Sequence, residues 1–268
     1  MRYQEATGRK NAPLGGLMRS PWSVIASFAL LLLMTTERQF LAASPRWRFQ
    51  QPQGETSTGG TLEGIVRLNA PKAPGVTRVE NTTDPEVCGR SHTLEDLVVS
   101  ARTRGIASAI VALEDVPADK VPPTAAGRLV FDNRKCRFVP HAAVLTTGSV
   151  VDFLNSDPTL HTVHLYGPME LNIALPLKGM KISRTLDRPG LAVVKCDVHG
   201  WMQAFLRIDR HPFHAVTDAS GGFRIPGIPP GDYTVSVWHE KLGEQRRRVG
   251  VRGGQVARAD YEYSSKAK

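Results

Sequence analysis

Beyond its N-terminus, no stretch of twelve or more residues in this 268-residue chain sustains a helical period, and the longest apolar run, Trp22–Met34, has 13 residues. A run that short falls below the roughly 20 residues a helix needs to cross a bilayer. There is no Gly-x-Ser-x-Gly elbow with a Ser-His-Asp order, no zincin motif and no phosphate-binding loop, which removes the common hydrolase and nucleotide-binding classes. The carboxylates Glu170, Asp187, Asp197 and Asp209 are scattered among turns and form no glycosidase pair. No basic patch interleaved with aromatics is present, so no nucleic-acid partner is expected. With 41% hydrophobic and 22% charged residues, the chain can still offset the entropy of folding, which excludes disordered, collagen-like and low-complexity classes. The 19 prolines and 24 glycines suit short strands separated by turns.

Trp22–Met34 fits the apolar core of a secretion signal. Arg2, Arg9, Lys10 and Arg19 precede it and Ala42-Ala43-Ser44 follows as a small-residue cleavage stretch. Residues 1–44 are expected to be a signal peptide or, if uncleaved, an N-terminal membrane anchor. Met18 would begin a more compact version of the same signal. The rest of the chain is expected in the periplasm or cell envelope. Five Lys/Arg and two Asp/Glu lie in residues 1–44, which lowers the net charge of +9 to +6 for the exported part. Arg246-Arg247-Arg248, the densest basic run, reads as the solvated face of a strand or turn and supports at most a weak attraction to acidic partners.

Residues 45–60 read as a polar linker rich in Gly, Ser, Thr and Pro. From residue 61 the chain runs through short β-type segments: LEGIVRL, DLVVSA, ASAIVALE, RLVFD, AVLTT, SVVDFLN, TVHLY, LAVVKC and AFLRID. In SVVDFLN, Val151, Phe153 and Asn155 share one side, a period of two. Breakers such as Gly148, Pro158, Pro168, Gly179 and Pro189-Gly190 separate most segments. The expectation is an all-β sandwich.

A second unit begins near residue 210. TDASGGFRIPGIPPGDYTV carries a Gly-Gly turn, a Phe-x-Ile strand and then Pro-x-Gly-x-Tyr, and ARADYEY closes the chain with Ala257, Ala259, Tyr261 and Tyr263 on one face. These residues resemble the carboxypeptidase regulatory-like (prealbumin-like) module. The resemblance implies a small β-sandwich over residues 210–263 with no catalytic residues of its own, followed by a tail at 264–268. About 55 residues bury little surface, so a strand such as LEGIVRL is expected to be borrowed. Tyr233 and Trp238 could act as carbohydrate platforms, but their alternation puts them on opposite faces and at least one in the core.

The chemistry-bearing segment is CDVHGWM, Cys196 to Met202. A thiolate, an imidazole three residues later and a thioether three after that combine soft and borderline ligands suited to copper. A turn after LAVVKC would let them converge. A second imidazole is available in FLNSDPTLHTVHLYG.

Here the sequence resembles the cupredoxins, and most closely the short-loop amicyanin type. CDVHGWM matches the family's Cys-x-x-His-x-x-Met loop, and GSVVDFLNSDPTLHTVH matches the segment before and around its first His, from Gly148, Phe153 and Asn155 through His161 and Val163 to His164. The resemblance covers residues 128–208 well and 60–127 poorly. It implies a cupredoxin-like Greek-key sandwich over residues 61–209, with an atypical N-terminal part. It also implies one type 1 copper ion held by His161, Cys196, His199 and Met202. Where the family usually has Asn after its first His, this chain has Thr162, a change close to the thiolate. By the same resemblance Cys196 supplies the short covalent bond, His161 and His199 the equatorial nitrogens, and Met202 a weak axial donor. The outer edge of His199 is the expected electron port, with Gly200 and Trp201 as an apolar docking rim.

Residues three apart on a strand face opposite sides, so His161 and His164 are not expected to chelate one ion together. Motif position favours His161 and leaves His164 structural. His141, in CRFVPHAAV, is the best substitute ligand. His92, His211, His214 and His239 read as surface or structural histidines, and His211 with His214 could bind a metal only if a loop joined them. An odd cysteine count in an oxidising compartment leaves one thiol to explain, and a metal-bound Cys196 explains it. A Cys88–Cys136 bridge would close a loop of about 48 residues and add roughly 4 kcal/mol of stability. Cys196 as an inert buried thiol, or as a disulfide partner, is the alternative, since spacing does not fix connectivity. The expected function is that of an exported copper protein, not an enzyme, passing single electrons between a donor and an acceptor protein. The competing reading is a non-redox envelope sandwich for copper storage or for carbohydrate or partner binding.

Overall fold

The computed structural model describes residues 59–70, 75–123 and 126–264. The expected signal or anchor at 1–44, the linker through residue 58 and the tail from 265 lie outside the described residues.

In chain order the elements begin with β1 (Gly60–Asn69), β2 (Arg78–Glu80), α1 (Pro85–Cys88), β3 (Ser91–Thr93) and β4 (Ile110–Glu114). There follow β5 (Arg128–Asn133), β6 (Phe138–Val139), β7 (Ala142–Thr146), β8 (Ser149–Asn155), β9 (His161–Tyr166), β10 (Leu171–Leu175) and β11 (Lys181–Leu186). The chain continues through β12 (Gly190–Lys195), β13 (Gln203–Asp209), β14 (His214–Val216), β15 (Gly222–Ile228), β16 (Gly231–His239), β17 (Gly243–Val251), β18 (Val256–Arg258) and β19 (Tyr261–Ser264). The all-β class expected from the sequence is what these elements form. DLVVSA differs: it makes only the bridge Val99↔Ile106, because the Ser100 carbonyl accepts from Arg104 N–H and Arg104 sits at φ 58°, which turns the chain there. β10 and β11, which no sequence segment anticipated, lie at sheet edges; most of β11 is exposed and shows no full apolar alternation, whereas β10 alternates, with Leu171, Ile173 and Leu175 inward, over only five residues.

Two sheets share the first core. One has the order β10-β9-β12-β13-β7, the other β11-β8-β5-β6. Phe131, Phe153, Val163, Leu165, Val194 and Leu206 fill the space between them. The alternation read in β8 places Val151, Phe153 and Asn155 inside. Asp152 is buried as well, because Arg128 and Ser183 bind its carboxylate.

The second core lies between a sheet of order β15-β1-β18, with β19 also on β1, and a sheet of order β14-β4-β16-β17. Leu62, Val66, Leu113, Ile225, Val235, Val237 and Tyr261 meet there. Residues 61–209 therefore do not supply the first sandwich alone: β1 and β4 come from that segment and sit inside the second. The reason is burial, since β14 to β19 without them would leave both sheets missing a central strand. The Gly-Gly turn serves this junction. A Cβ on Gly105 would lie 1.7 Å from the Ser220 carbonyl oxygen, and one on Gly221, at φ +82°, would lie 2.5 Å from that of Val66. That closeness lets Val66 N–H donate to Gly221 O and Ile106 N–H to Val66 O, each at 2.8 Å.

The two cores are joined by a small cluster of Ile110, Ala142 and Phe205, against which Trp238 packs edge-on to Phe205 at 4.9 Å. Tyr233 is buried and its hydroxyl donates to Pro229 O. Neither aromatic is free to act as a carbohydrate platform.

A fragment of residues 210–268 lacks β1 and β4 and is expected to give a disordered far-ultraviolet circular dichroism spectrum; a folded fragment would show that the borrowed strands are dispensable. His239, at the end of β16, is brought down to about 4 by burial. Between its unfolded value near 6.5 and 4, the unfolded chain binds the extra proton, so stability present above pH 6.5 drains as pH falls, by about 3 kcal/mol at pH 4. Urea midpoints should follow that slope, and His239→Gln should flatten it.

Candidate metal centre

Three loops build the centre. After β8, Asn155 is fully buried and donates from Nδ2 to the carbonyls of Thr159 and Leu175, both at 2.8 Å, while its Oδ1 accepts from Asp157 N–H. This fixes the loop that delivers His161 to the start of β9. After β12, the Cys196–Met202 segment folds back on itself: Met202 N–H donates to His199 O at 2.9 Å and Cys196 N–H to Met202 O at 3.4 Å. Met202 is buried in the same core as Cys196.

His161 Nδ1 lies 4.0 Å from Cys196 Sγ and His199 Nδ1 lies 3.7 Å from it. The ligand-capable atoms of these three buried residues are all within 4.8 Å of one another. An ion bound at about 2.0 Å to nitrogen and 2.3 Å to sulfur, with trigonal angles, requires nitrogen–sulfur separations of about 3.7 Å. The donor set and its spacing therefore fit one thiophilic ion such as copper. Cys136, Asp157 and His161 also converge, but Cys136 is in a disulfide and offers no thiolate.

Thr162, the departure noted in the sequence, holds the two ligand loops together. Its Oγ1 accepts from Asp197 N–H at 2.7 Å, and its own N–H points at Cys196 Sγ at 3.4 Å. Burial resists ionisation of Cys196, yet hydrogen bonds from His161, His199 and the backbone outweigh it and bring the thiol down to about 5. Burial likewise opposes a charge on His199, but Cys196 and Asp84 together raise it above the usual imidazole value.

Both rings use their other nitrogen on a carboxylate. His161 Nε2 faces Asp157 Oδ2 at 3.1 Å, and Asp157 also accepts from the N–H groups of Lys135 and Cys136, both at 2.8 Å. His199 Nε2 faces Asp84 Oδ2 at 3.2 Å and lies 3.6 Å from Cys88 Sγ. Asp84 opens α1, whose last residue, Cys88, is bridged to Cys136 with a Cα separation of 5.4 Å; Cys196 is free and buried.

The open edge expected at His199 is therefore closed. Its side chain is 0% exposed because Asp84 and Cys88, brought by the segment between β2 and β3, cover Nε2. Of the expected rim, Gly200 is exposed, and the half-buried Trp201 is stacked on His92 at 4.3 Å and donates Nε1–H to Cys136 O. His164 faces the opposite side of β9 from His161 and meets Asp197, Asn172 and Tyr166. His141 pairs with Glu240 at 2.6 Å and His214 with Asp209 at 2.9 Å, while His211 stacks on Phe213; none joins the centre. Asp84 and Asp157 went unnoticed in the sequence. Asp157 carried a local hint, four residues before His161, whereas Asp84 lies 115 residues from His199.

Residues 206–263 match the model of the carboxypeptidase regulatory-like domain. Among curated proteins, none matches the chain. Solved structures similar to it include a copper-containing nitrite reductase from Thermus scotoductus SA-01 (TM-score 0.29, 21% identity, 33% of this chain and 25% of that one). Another is amicyanin from Paracoccus versutus (0.28, 19%, 35% and 86%). A third is a purple cupredoxin from Nitrosopumilus maritimus (0.27, 15%, 31% and 99%). Each alignment spans about a third of this chain, and the chain spans a quarter of the nitrite reductase.

Peptide mapping without reduction is expected to return one peptide pair linking Cys88 to Cys136, with Cys196 alkylated only after unfolding. Recovery of Cys196 in a disulfide would remove its thiolate from the centre.

Proposed function

We propose that this chain is an exported type 1 copper protein that carries single electrons between partner proteins of the cell envelope and catalyses no reaction of its own. The observation that carries the reading is the convergence of His161 Nδ1, His199 Nδ1 and Cys196 Sγ, all buried, at separations that suit one ion. Bound there, copper would supply one-electron chemistry between Cu(II) and Cu(I). The chain's own residues make the place ready for it. Cys196 is held as a thiolate, each imidazole has its outer nitrogen fixed by a carboxylate, and the apolar core around Met202 keeps solvent away. A rigid ligand set of this kind limits the rearrangement that accompanies each electron. Met202, buried in the same core, would add a weak thioether donor. Export is supported by the basic and apolar N-terminal segment and by the Cys88–Cys136 bridge, which belongs in an oxidising compartment.

Copper storage is the second reading, and the covered edge of His199 favours it, since a closed face impedes docking. A Cys-His-Asp nucleophile, suggested by the alignment of Cys196, His199 and Asp84, is disfavoured because Cys196 is only 4% exposed.

Loading the purified chain with Cu(II) should give an intense visible charge-transfer band that reduction removes. Cys196→Ser or His161→Ala should abolish the band with the fold retained, since the sandwich cores carry most of the stability. Met202→Leu should keep the colour and raise the potential, because losing a weak thioether donor destabilises Cu(II) more than Cu(I). A colourless one-to-one copper complex would favour storage, and an unchanged band in Cys196→Ser would overturn the site.

A further inference from the structure

His199 is held on three sides. Nδ1 faces Cys196 Sγ at 3.7 Å, the Trp201 ring lies 5.0 Å away, and Nε2 faces Asp84 Oδ2 at 3.2 Å. The carboxylate on Nε2 is itself immobilised. Thr159 Oγ1, on the loop that delivers His161, donates to the same oxygen at 2.5 Å. The backbone carbonyl of Asp84 accepts from the N–H groups of Val87 and Cys88, and Cys88 is bolted to Cys136. Asp84 therefore reaches the centre through two independent anchors, one on the His161 loop and one on the disulfide. A carboxylate that accepts from one ring nitrogen leaves the other as the free lone pair, sets the ring plane and makes the imidazole a more basic ligand.

We propose that Asp84 is a positioning residue for His199: it turns Nδ1 toward Cys196 and, through its negative charge, favours Cu(II) over Cu(I) at the centre. This rests on the copper reading above. It goes further by assigning part of the redox poise to a residue of the β2–β3 segment, where the cupredoxin resemblance is poor.

The test uses the full chain and the variants Asp84→Asn and Asp84→Ala. Asn adopts the left-handed conformation that Asp84 has at φ 48°, so Asp84→Asn should keep the fold and remove only the charge. It is expected to bind Cu(II) about 10–100-fold more weakly, to bind Cu(I) almost unchanged, and so to have a raised potential. Asp84→Glu should restore most of the lost Cu(II) preference. A purely structural cap would move neither the potential nor the ratio of the two affinities, so unchanged values in a folded Asp84→Asn would overturn the proposal. An independent measurement needs no metal: nuclear Overhauser contacts between the His199 ring and Cys88 should be present in the metal-free wild type and lost in Asp84→Ala. Their persistence in that variant would also overturn it. A wild type that binds no copper would sink the copper reading, while the metal-free contacts would still decide whether Asp84 positions the ring.

Discussion

A buried imidazole has two ring nitrogens to satisfy, and two such rings stand side by side here, 4.7 Å apart, with neither exposed. Each spends one nitrogen toward Cys196 and the other on a carboxylate, because an unpaired polar atom in that interior costs about 1–3 kcal/mol. That requirement organises the surroundings. Asp157 must approach His161, and it brings the 135–136 backbone with it; Asp84 must approach His199, and it brings α1. The Cys88–Cys136 bridge then joins the two carboxylate-bearing regions to each other. The four-residue helix is thus held against this end of the sandwich by that carboxylate, by the disulfide and by the packing of Val87 and Cys88 on the core.

The second sandwich answers a different demand. Its own C-terminal strands cannot complete either sheet, so β1 and β4 are drawn in from far upstream, and the backbones at Val66, Gly105 and Gly221 approach so closely that side chains are excluded. Both cores then share the contact around Phe205 and Trp238. The described residues accordingly belong to one compact unit, with the candidate metal site in the sandwich that does not depend on this exchange of strands.

What could be read in advance was local. Cys196, His199 and Met202 lie within one seven-residue segment, and the family resemblance marks the Phe153-x-Asn155 stretch that leads to His161; of these, the fold gathers His161, Cys196 and His199 within reach of one another. The Gly-Gly turn and the Pro-Pro-Gly turn likewise identify the C-terminal module within a single stretch. What escaped was non-local or masked by position. Asp84 has no sequence pattern that ties it to His199; only the folded path of β2, α1 and β3 does. Family resemblance left the edge of His199 open because it says little about residues 60–127, the region that supplies the cover. β11 sits at a sheet edge with most of its side chains in solvent, which erases the alternation that betrayed β8, while β10 alternates over only five residues. DLVVSA carried strand-like composition, but the turn at Arg104 overrides it.

The parallel pairing of β1 with β18 and β19 sets the first described strand beside the last. Val66 is opposite Tyr261, and the Ile65–Asp260 hydrogen bond spans 195 residues. A ribosome delivers these strands some 195 residues apart. Closing so long a loop costs only logarithmically more than closing a short one, but contacts of such separation slow the search for the native state. Leu62, Val66 and Leu68 therefore wait, apolar and without sheet partners, until β15 has emerged, and the other edge of β1 waits for β18 and β19. Over that interval the nascent chain presents an unpaired β edge of the kind that invites aggregation.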